Sequence, residues 1–182
     1  LAVVKVLIKA GGNVNAAIAN GSTPLYQASS NGHLAIVKVL IQAGGNVNQA
    51  RTTDGVSPLW TASERGNVDT VKVLIKAGGN VNQARTTDGT TPLYPASGRG
   101  HVDTVKVLLA AKDIKINCDA LYIASKNGHT KVVKALLAAK DINVNQTRHG
   151  KTALDIATEN SHTEVIQLLK DDALYIASKN GH

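Results

Sequence analysis

The stretch Val37 to Gly55 reads VKVLIQAGGNVNQARTTDG, and Val71 to Gly89 reads VKVLIKAGGNVNQARTTDG. The two runs begin thirty-four residues apart and differ at one position in nineteen, Gln42 against Lys76. Self-similarity at a period of this size marks stacked supersecondary units, each too small to bury its own apolar face and completed by its neighbours. The chain is therefore read as a solenoid before any local feature is considered, and the prior for its function moves from catalysis towards binding.

One unit, Gly55 to Asp88, shows what is stacked. Ser57 ahead of Pro58 is an N-cap before a proline at the first helical position, where a missing N–H has no intrahelical partner to lose. A first helix, A, is expected from about Pro58 to Arg65, with Leu59 and Ala62 buried and Glu64 and Arg65 facing outward. A second helix, B, is expected from near Val68, with Asp69 in its first turn and Lys76 in its last, as the helix dipole favours. Its buried stripe is Val68, Val71, Leu74 and Ile75. Gly78 and Gly79 end it, and Gln83 to Asp88 reads as an exposed turn or hairpin tip. In the next unit Pro95 follows Thr91 by four residues and removes a backbone donor from the first turn of helix A, which is expected to be locally weak.

The helix-A motifs TPLYQA (Thr23 to Ala28), SPLWTA (Ser57 to Ala62), TPLYPA (Thr91 to Ala96), DALYIA (Asp119 to Ala124), TALDIA (Thr152 to Ala157) and DALYIA (Asp172 to Ala177) resemble the T-P-L-H-x-A signature of ankyrin repeats. The Gly-His pairs at Gly32-His33, Gly100-His101 and Gly128-His129, and the Val-Asn before the tips, are similar to the same family. The resemblance implies an all-α ankyrin-repeat solenoid of helix-turn-helix units joined by β-turn or hairpin tips. It divides one domain, 1–182, into a half repeat 1–15, repeats at about 16–48, 49–82, 83–117, 118–145 and 146–170, and a half repeat 171–182. The motif histidine is replaced by Tyr26, Trp60, Tyr94, Tyr122, Asp155 and Tyr175, so the tie it makes in the family must be made differently here. Motif leucines Leu25, Leu59 and Leu93 are 34 apart, whereas Leu93 to Leu121 is 28 and Leu121 to Leu154 is 33. The short step falls at Cys118 and Asp119, which replace most of a tip, and the binding edge is expected to be interrupted there.

The 182 residues contain no phenylalanine or methionine and only 3% aromatics, so the core must be Leu, Val, Ile and Ala. A single cysteine, Cys118, excludes an internal disulfide, and with no secretory leader in view it favours a reducing compartment, cytoplasmic or nuclear. The opening LAVVKVLIKA is too short to span a membrane and has the helix-B pattern. The formal net charge of +7 owes much to a column of Lys5, Lys38, Lys72, Lys106 and Lys134. This column is read as a solvated outer face. Binding of an acidic polymer such as nucleic acid is the alternative, but the aromatics that phosphate binders interleave are absent from that face.

The six histidines do not form a metal site, because equivalent positions in successive repeats lie about 10 Å apart, the distance between packed helices. They are read as helix-junction residues. Gly98 to Gly100 supplies only G-x-G, without the strand and later glycine of a dinucleotide site. No nucleophile, base and orienting group assemble by motif, so neither enzymatic activity nor a cofactor is expected. The resemblance implies a concave partner-binding surface built from tips and the outward end of helix A, and carries that role onto Asn20, Ser22, Arg51, Thr53, Asp54, Val56, Trp60, Glu64, Arg65, Arg85, Thr87, Asp88, Thr90, Arg99, Arg148, His149, Lys151 and Glu159. Trp60 is an interface anchor on one reading and a packing residue against adjacent loops on the other. Arg85 is taken as a surface side chain whose truncation leaves stability within about 0.5 kcal/mol.

The function implied is a non-catalytic module that binds a protein or peptide. The alternatives are a regulatory or recruiting segment of a larger protein and a head-to-tail self-assembling array. The last arises because residues 1–10 read as a helix B without its helix A and Asp172 to His182 as a helix A without its helix B. Read in succession, the two make one complete unit.

Overall fold

The structure, a computed structural model, describes residues 1–139 and 142–179 and, in the last helix, the side chains of all but 175–177 and 179. Among the described residues there are eleven helices: α1 (Ala2–Lys9), α2 (Pro24–Ser30), α3 (Leu34–Gln42), α4 (Pro58–Glu64), α5 (Val68–Lys76), α6 (Leu93–Gly98), α7 (Val102–Leu109), α8 (Cys118–Lys126), α9 (Thr130–Leu137), α10 (Ala153–Glu159) and α11 (Thr163–Lys179). From α2 onward they pair within units and stack in two layers, α2-α4-α6-α8-α10 and α3-α5-α7-α9-α11. One continuous core runs between the layers from Leu25 to Leu169 and is made of Leu, Val, Ile and Ala. Thin layers suit these residues, because two short helices of one unit approach closely only when their facing side chains are small or branched aliphatics.

The local rules act as the residue types require. Thr23 and Ser57 cap α2 and α4 by accepting the N–H of Tyr26 and Trp60, each at 3.1 Å. In α6 Thr91 makes no such bond, the cap position is Pro92, and the N–H of Tyr94 reaches the Thr91 carbonyl at 3.0 Å in a tightened first turn. Pro95 has no N–H to offer that carbonyl, and α6 is the shortest helix described, at six residues. Val71 and Leu74 are fully buried, while Val68 and Ile75 are half-buried because they flank the stripe.

Neighbouring units are tied at the ends of the first-layer helices. A helix leaves its last carbonyls without intrahelical partners, and a side chain from the following unit takes them. Asn67 Nδ2 donates to Ser29 O at 2.9 Å, His101 Nε2 to Glu64 O at 3.0 Å, His129 Nε2 to Gly98 O at 2.9 Å and His162 Nε2 to Lys126 O at 2.9 Å. The carbonyl acceptor fixes the proton of each imidazole on Nε2. The ring lies so close to the preceding turn that a Cβ on Gly100 would stand 2.9 Å from His129 Nδ1. His101, His129 and His162 are thus junction residues, as expected, whereas His149 stands in an exposed tip and His182 lies outside the described residues.

At the far end the structure corrects an expectation. Asp172 to Lys179 does not form a separate helix A of a half repeat 171–182; it continues α11 without a turn. Between Leu169 and Leu174 stand Lys170, Asp171, Asp172 and Ala173, with no glycine or tip to end the helix, and Gln167 Nε2 bonds Asp171 Oδ1 at 2.7 Å across the junction. Residues 180–182 lie outside the described residues.

Because Leu74 is 0% exposed, Leu74→Ala is expected to lower unfolding free energy by about 2 to 5 kcal/mol through the cavity it leaves. Arg65→Ala, at an exposed helix end, is expected to change it by no more than about 0.5 kcal/mol. Chemical denaturation of the two variants beside the parent checks both.

Candidate functional site

The tips are built by short-range hydrogen bonds. Arg51 N–H donates to Val56 O at 3.0 Å and Gly55 N–H to Arg51 O at 2.9 Å, and Arg85 with Thr90 and Gly89 with Arg85 repeat the pattern. The side-chain oxygen of Asn20, Asp54 or Asp88 accepts the N–H two residues on, from Ser22, Val56 or Thr90, which holds the returning arm of each tip. Successive tips then join edge to edge: Thr52 N–H donates to Asn20 O at 3.1 Å and Thr86 N–H to Asp54 O at 2.9 Å. Below the tips a second ladder uses asparagine side chains. Asn15, Asn48 and Asn82 each donate from Nδ2 to a carbonyl of the next unit, at Gly44, Gly78 and Asp113, and accept through Oδ1 the N–H of Asn46, Asn80 and Lys115.

The replaced motif histidine finds its counterpart here. The guanidinium of Arg51 lies over the Tyr26 ring at 5.2 Å from its centroid, that of Arg85 over Trp60 at 5.1 Å and that of Arg148 over Tyr94 at 4.9 Å. Each arginine is fixed from the other side by a carboxylate: Asp54, Asp88 and Asp119 respectively. The arrangement is a relay of aromatic, arginine and aspartate, in which the arginine of a later tip closes the aromatic of an earlier helix. In the fifth unit Asp155 stands at the aromatic position and forms a capping box with Thr152 instead.

The relay also crosses the short step. Asn117 cannot continue the asparagine ladder and donates instead to Asp119 in its own turn at 2.8 Å. The chain passes directly into α8 with no tip, so the arginine that would close Tyr94 is missing from that unit. Arg148 supplies it from the following tip, whose Arg148–Lys151 bridge is the one hairpin pairing among the described residues. Its ion pair with Asp119 is also among the least exposed, at 17% and 18% for the two side chains. The expected interruption of the edge is therefore present in the tips, and one long side chain spans it.

The electrostatics follow from these contacts. The hydrogen bond from Arg85, opposed by burial and reinforced by the hydroxyl and N–H of Thr90, holds the Asp88 carboxyl down at about 2. Burial pushes Asp54 upward, but the bonds from Arg51 and the Val56 N–H outweigh it, leaving the carboxyl below its usual range. Burial first, and then the charge of Asp119, push the Cys118 thiol up, which keeps it protonated and a poor nucleophile.

The expected site residues now divide. Thr53, Arg65, Thr87, Asp88, Arg99, His149 and Glu159 are exposed, and Asn20, Arg51, Asp54, Glu64, Arg85, Arg148 and Lys151 are half-buried. Glu64 pairs with Arg99 at 3.1 Å and Lys151 with Glu159 at 2.7 Å. Three positions expected on the surface are not there. Ser22, Val56 and Thr90 are buried, because the residue after each tip glycine returns beneath the tip, where Val56 packs with Tyr26 and Trp60. Trp60 itself is buried, with its indole face taken by Arg85, so the packing reading holds for the free protein. Arg85 is likewise no free surface side chain. Tyr26, Tyr94 and Asp119 were missed as members of the relay, although the repeated spacing of twenty-five residues from Tyr26 to Arg51 and from Trp60 to Arg85 was a signal for two of its three steps. Between α4, α6 and α8 the same face holds a recess of about 230 Å³, whose lining includes Trp60, Tyr94, Pro95, Gly98 and Ile123 with the Glu64–Arg99 pair at its edge.

A family profile described as ankyrin repeats matches the chain in three copies, over residues 1–51, 45–120 and 113–180. No curated protein matches it. Among the described residues no group of three or more His, Cys, Asp or Glu side chains could hold a metal ion, and no helix is long and apolar enough to cross a membrane.

The relay changes what is expected of Arg85. Arg85→Ala removes a stacked cation and leaves Asp88 without its ion-pair partner, held by Thr90 only, and is expected to cost about 1 to 2 kcal/mol in denaturant unfolding. Arg148→Ala should cost more than either Arg85→Ala or Arg51→Ala, because it breaks the least exposed of the three ion pairs and opens the tipless step. The depressed Asp88 carboxyl also has a pH signature. Its unfolded value is about 3.9, so its contribution to stability is complete above that pH and is lost as pH falls towards about 2. Asp88→Asn should flatten the fall of stability in that window, read from unfolding curves at stepped pH.

Proposed function

The chain belongs to the ankyrin-repeat family, and on that premise we propose that it is a non-catalytic module that holds a protein or peptide partner against its tips and first-layer helices. What supports this reading most is the division of side chains on that face. The relay and the two ladders use Arg51, Arg85, Arg148 and the asparagines internally, and so leave a surface on which Thr53, Arg65, Thr87 and His149 are exposed beside the surface ion pairs of Arg99 and Glu159. A partner then meets groups whose positions are set before binding, which limits the ordering cost of association. The aromatic recess beside Arg99 is the place on that face where an apolar side chain of the partner would be received. The single, unpaired Cys118 fits a reducing compartment, cytoplasm or nucleus, and a recruiting segment within a longer protein fits the same surface.

Affinity capture followed by cross-linking mass spectrometry tests this with two variants. One replaces Thr53, Arg65, Thr87 and Arg99 together by alanine; the other replaces Arg51 and Arg85. The first should lose a partner cross-linked to this face while keeping the parent melting temperature, and the second should lower the melting temperature. A partner retained in full by the first variant, with cross-links elsewhere, would refute the reading.

Self-association is a second reading, and one observation favours it. α1 packs on the stack through Val4 and Ile8 but leaves Val3 at 70% and Val6 at 64% exposed, with Leu1 and Leu7 beside them. The sequence Asp172 to His182 repeats Asp119 to His129 letter for letter. In α8 that sequence buries Ala120, Leu121 and Ala124, whereas Leu174 of the second copy is 70% exposed. A segment 172–182 of one chain seated on α1 of another would cover both in a head-to-tail contact, which need not close. Sedimentation velocity should then show mass rising with concentration for the parent and a monomer for Val6→Asp. A parent that stays monomeric throughout would exclude it.

A further inference from the structure

The helices of the second layer do not all end alike. After α3 and α5 the chain turns at Ala43-Gly44-Gly45-Asn46 and Ala77-Gly78-Gly79-Asn80, with φ of 85° at Gly44 and 87° at Gly78. The second glycine lies hard against the helix, since a Cβ on Gly45 or Gly79 would stand 2.8 Å from the carbonyl oxygen of Leu40 or Leu74. After α7 the chain runs Ala110-Ala111-Lys112-Asp113-Ile114-Lys115-Ile116 without glycine, and Asn117 stands nine residues after Leu108 where Asn48 and Asn82 stand eight after Leu40 and Leu74. It turns through Ala111 N–H to Leu108 O at 3.1 Å and Ile114 N–H to Ala111 O at 3.2 Å. A segment with a Cβ at every position cannot close as tightly under the helix. Between it and the end of α9 lies an open groove of about 760 Å³, against about 380 Å³ for the groove between α3 and α5.

The groove has an aliphatic floor and a cationic rim. Five alanines, Leu109, Ile114 and Ile116 form the floor, and Lys106, Lys112 and Lys115 stand around it; among the described residues no carboxylate lines it. Lys72 and Lys134 in the same layer are paired with Asp69 and Glu164. No ion pair among the described residues engages the three lysines of the groove.

We propose that this groove is a docking site for an acidic amphipathic helix of a partner protein. The alanines leave volume that large apolar side chains at i, i+3, i+4 and i+7 of the incoming helix would fill, and they let its backbone approach closely. Aspartate or glutamate side chains flanking that stripe reach Lys106, Lys112 and Lys115, which steers the encounter and sets the orientation. The lining has no aromatic ring on which a nucleic-acid base could stack. Being recessed, it does not present its apolar atoms to the plane of a bilayer. The site lies on the second layer, apart from the tips, and does not depend on what the tip face binds.

Nuclear magnetic resonance of the labelled full chain tests it, with a synthetic helical peptide of about sixteen residues carrying leucines at those positions and glutamates beside them. Duplex DNA and phosphatidylserine vesicles are run in parallel. The expected result is peptide-induced shifts confined to residues 106–116 and 135–139. Lys112→Glu with Lys115→Glu should weaken the peptide at least about tenfold. Ala138→Leu, filling the groove from an exposed position, should abolish binding with an unchanged melting temperature. Shifts centred on the tips, binding indifferent to Ala138→Leu, no shift at all, or DNA or vesicles engaging the groove while the peptide does not, would each overturn the proposal.

Discussion

A short helix ends with carbonyl oxygens that it cannot satisfy itself, and at α2, α4, α6 and α8 a donor comes from the next unit. Asn67, His101, His129 and His162 occupy one repeating position and reach the last turn of α2, α4, α6 and α8 in order. These ties run from each unit back to the one before it, while the asparagine ladder runs forward, from Asn15, Asn48 and Asn82 onto carbonyls of the unit that follows. Asn can replace His at one interface because the requirement is an N–H at the correct reach, and charge plays no part. The core adds the bulk of the stabilisation, but it is nearly featureless in shape, being Leu, Val, Ile and Ala throughout. These polar ties are what set register between layers that apolar contact alone would let slide.

The relay does for the tips what the histidines do for the helix ends. Tyr26, Trp60 and Tyr94, in place of the family's motif histidine, each have one face covered by the arginine of a later tip, whereas Tyr122 in the fourth unit is half-buried without one among the described residues. The carboxylate three residues beyond Arg51 and Arg85 then holds the guanidinium in place, so the tip closes on itself as it closes on its neighbour. The stacking survives the tipless step. Where the adjacent tip is lost, Tyr94 is still covered, by Arg148 from one unit further on, and Asp119 takes the place of the missing tip's own aspartate.

The repeating core was open to direct reading because the same pattern occurs five times and each occurrence checks the others. Leu59, Ala62, Val71 and Leu74 fall inside where periodicity puts them, and Ser57 caps the helix its hydroxyl was expected to cap. The tips were less legible. A short polar segment bounded by glycines says that the chain turns but not which side chains turn inward, and so Ser22, Val56 and Thr90 were read as surface when one repeating position is in fact buried. Arg51 and Arg85 looked like free cations because their partners are a ring twenty-five residues back and a carboxylate three residues ahead, and the periodicity of apolar residues registers neither. The continuation of α11 through Asp172 was hidden for another reason. A sequence that forms helix A at Asp119 needs a turn before it to do so, and the identical letters after Lys170 have a helix before them instead.

The two faces of the stack therefore differ in how far their chemistry is already used. On the tip side most charged groups are engaged with one another, which leaves a few outward polar groups and a recess lined in part by Trp60 and Tyr94. On the second layer the lysines are mostly unpaired and the apolar floor between α7 and α9 is uncovered, because a glycine turn present in two units is absent from the third. On the first surface most charges are neutralised internally. The second offers charge and area with little shape of its own, and so any occupant must bring both the opposite charge and the bulk that the alanines lack.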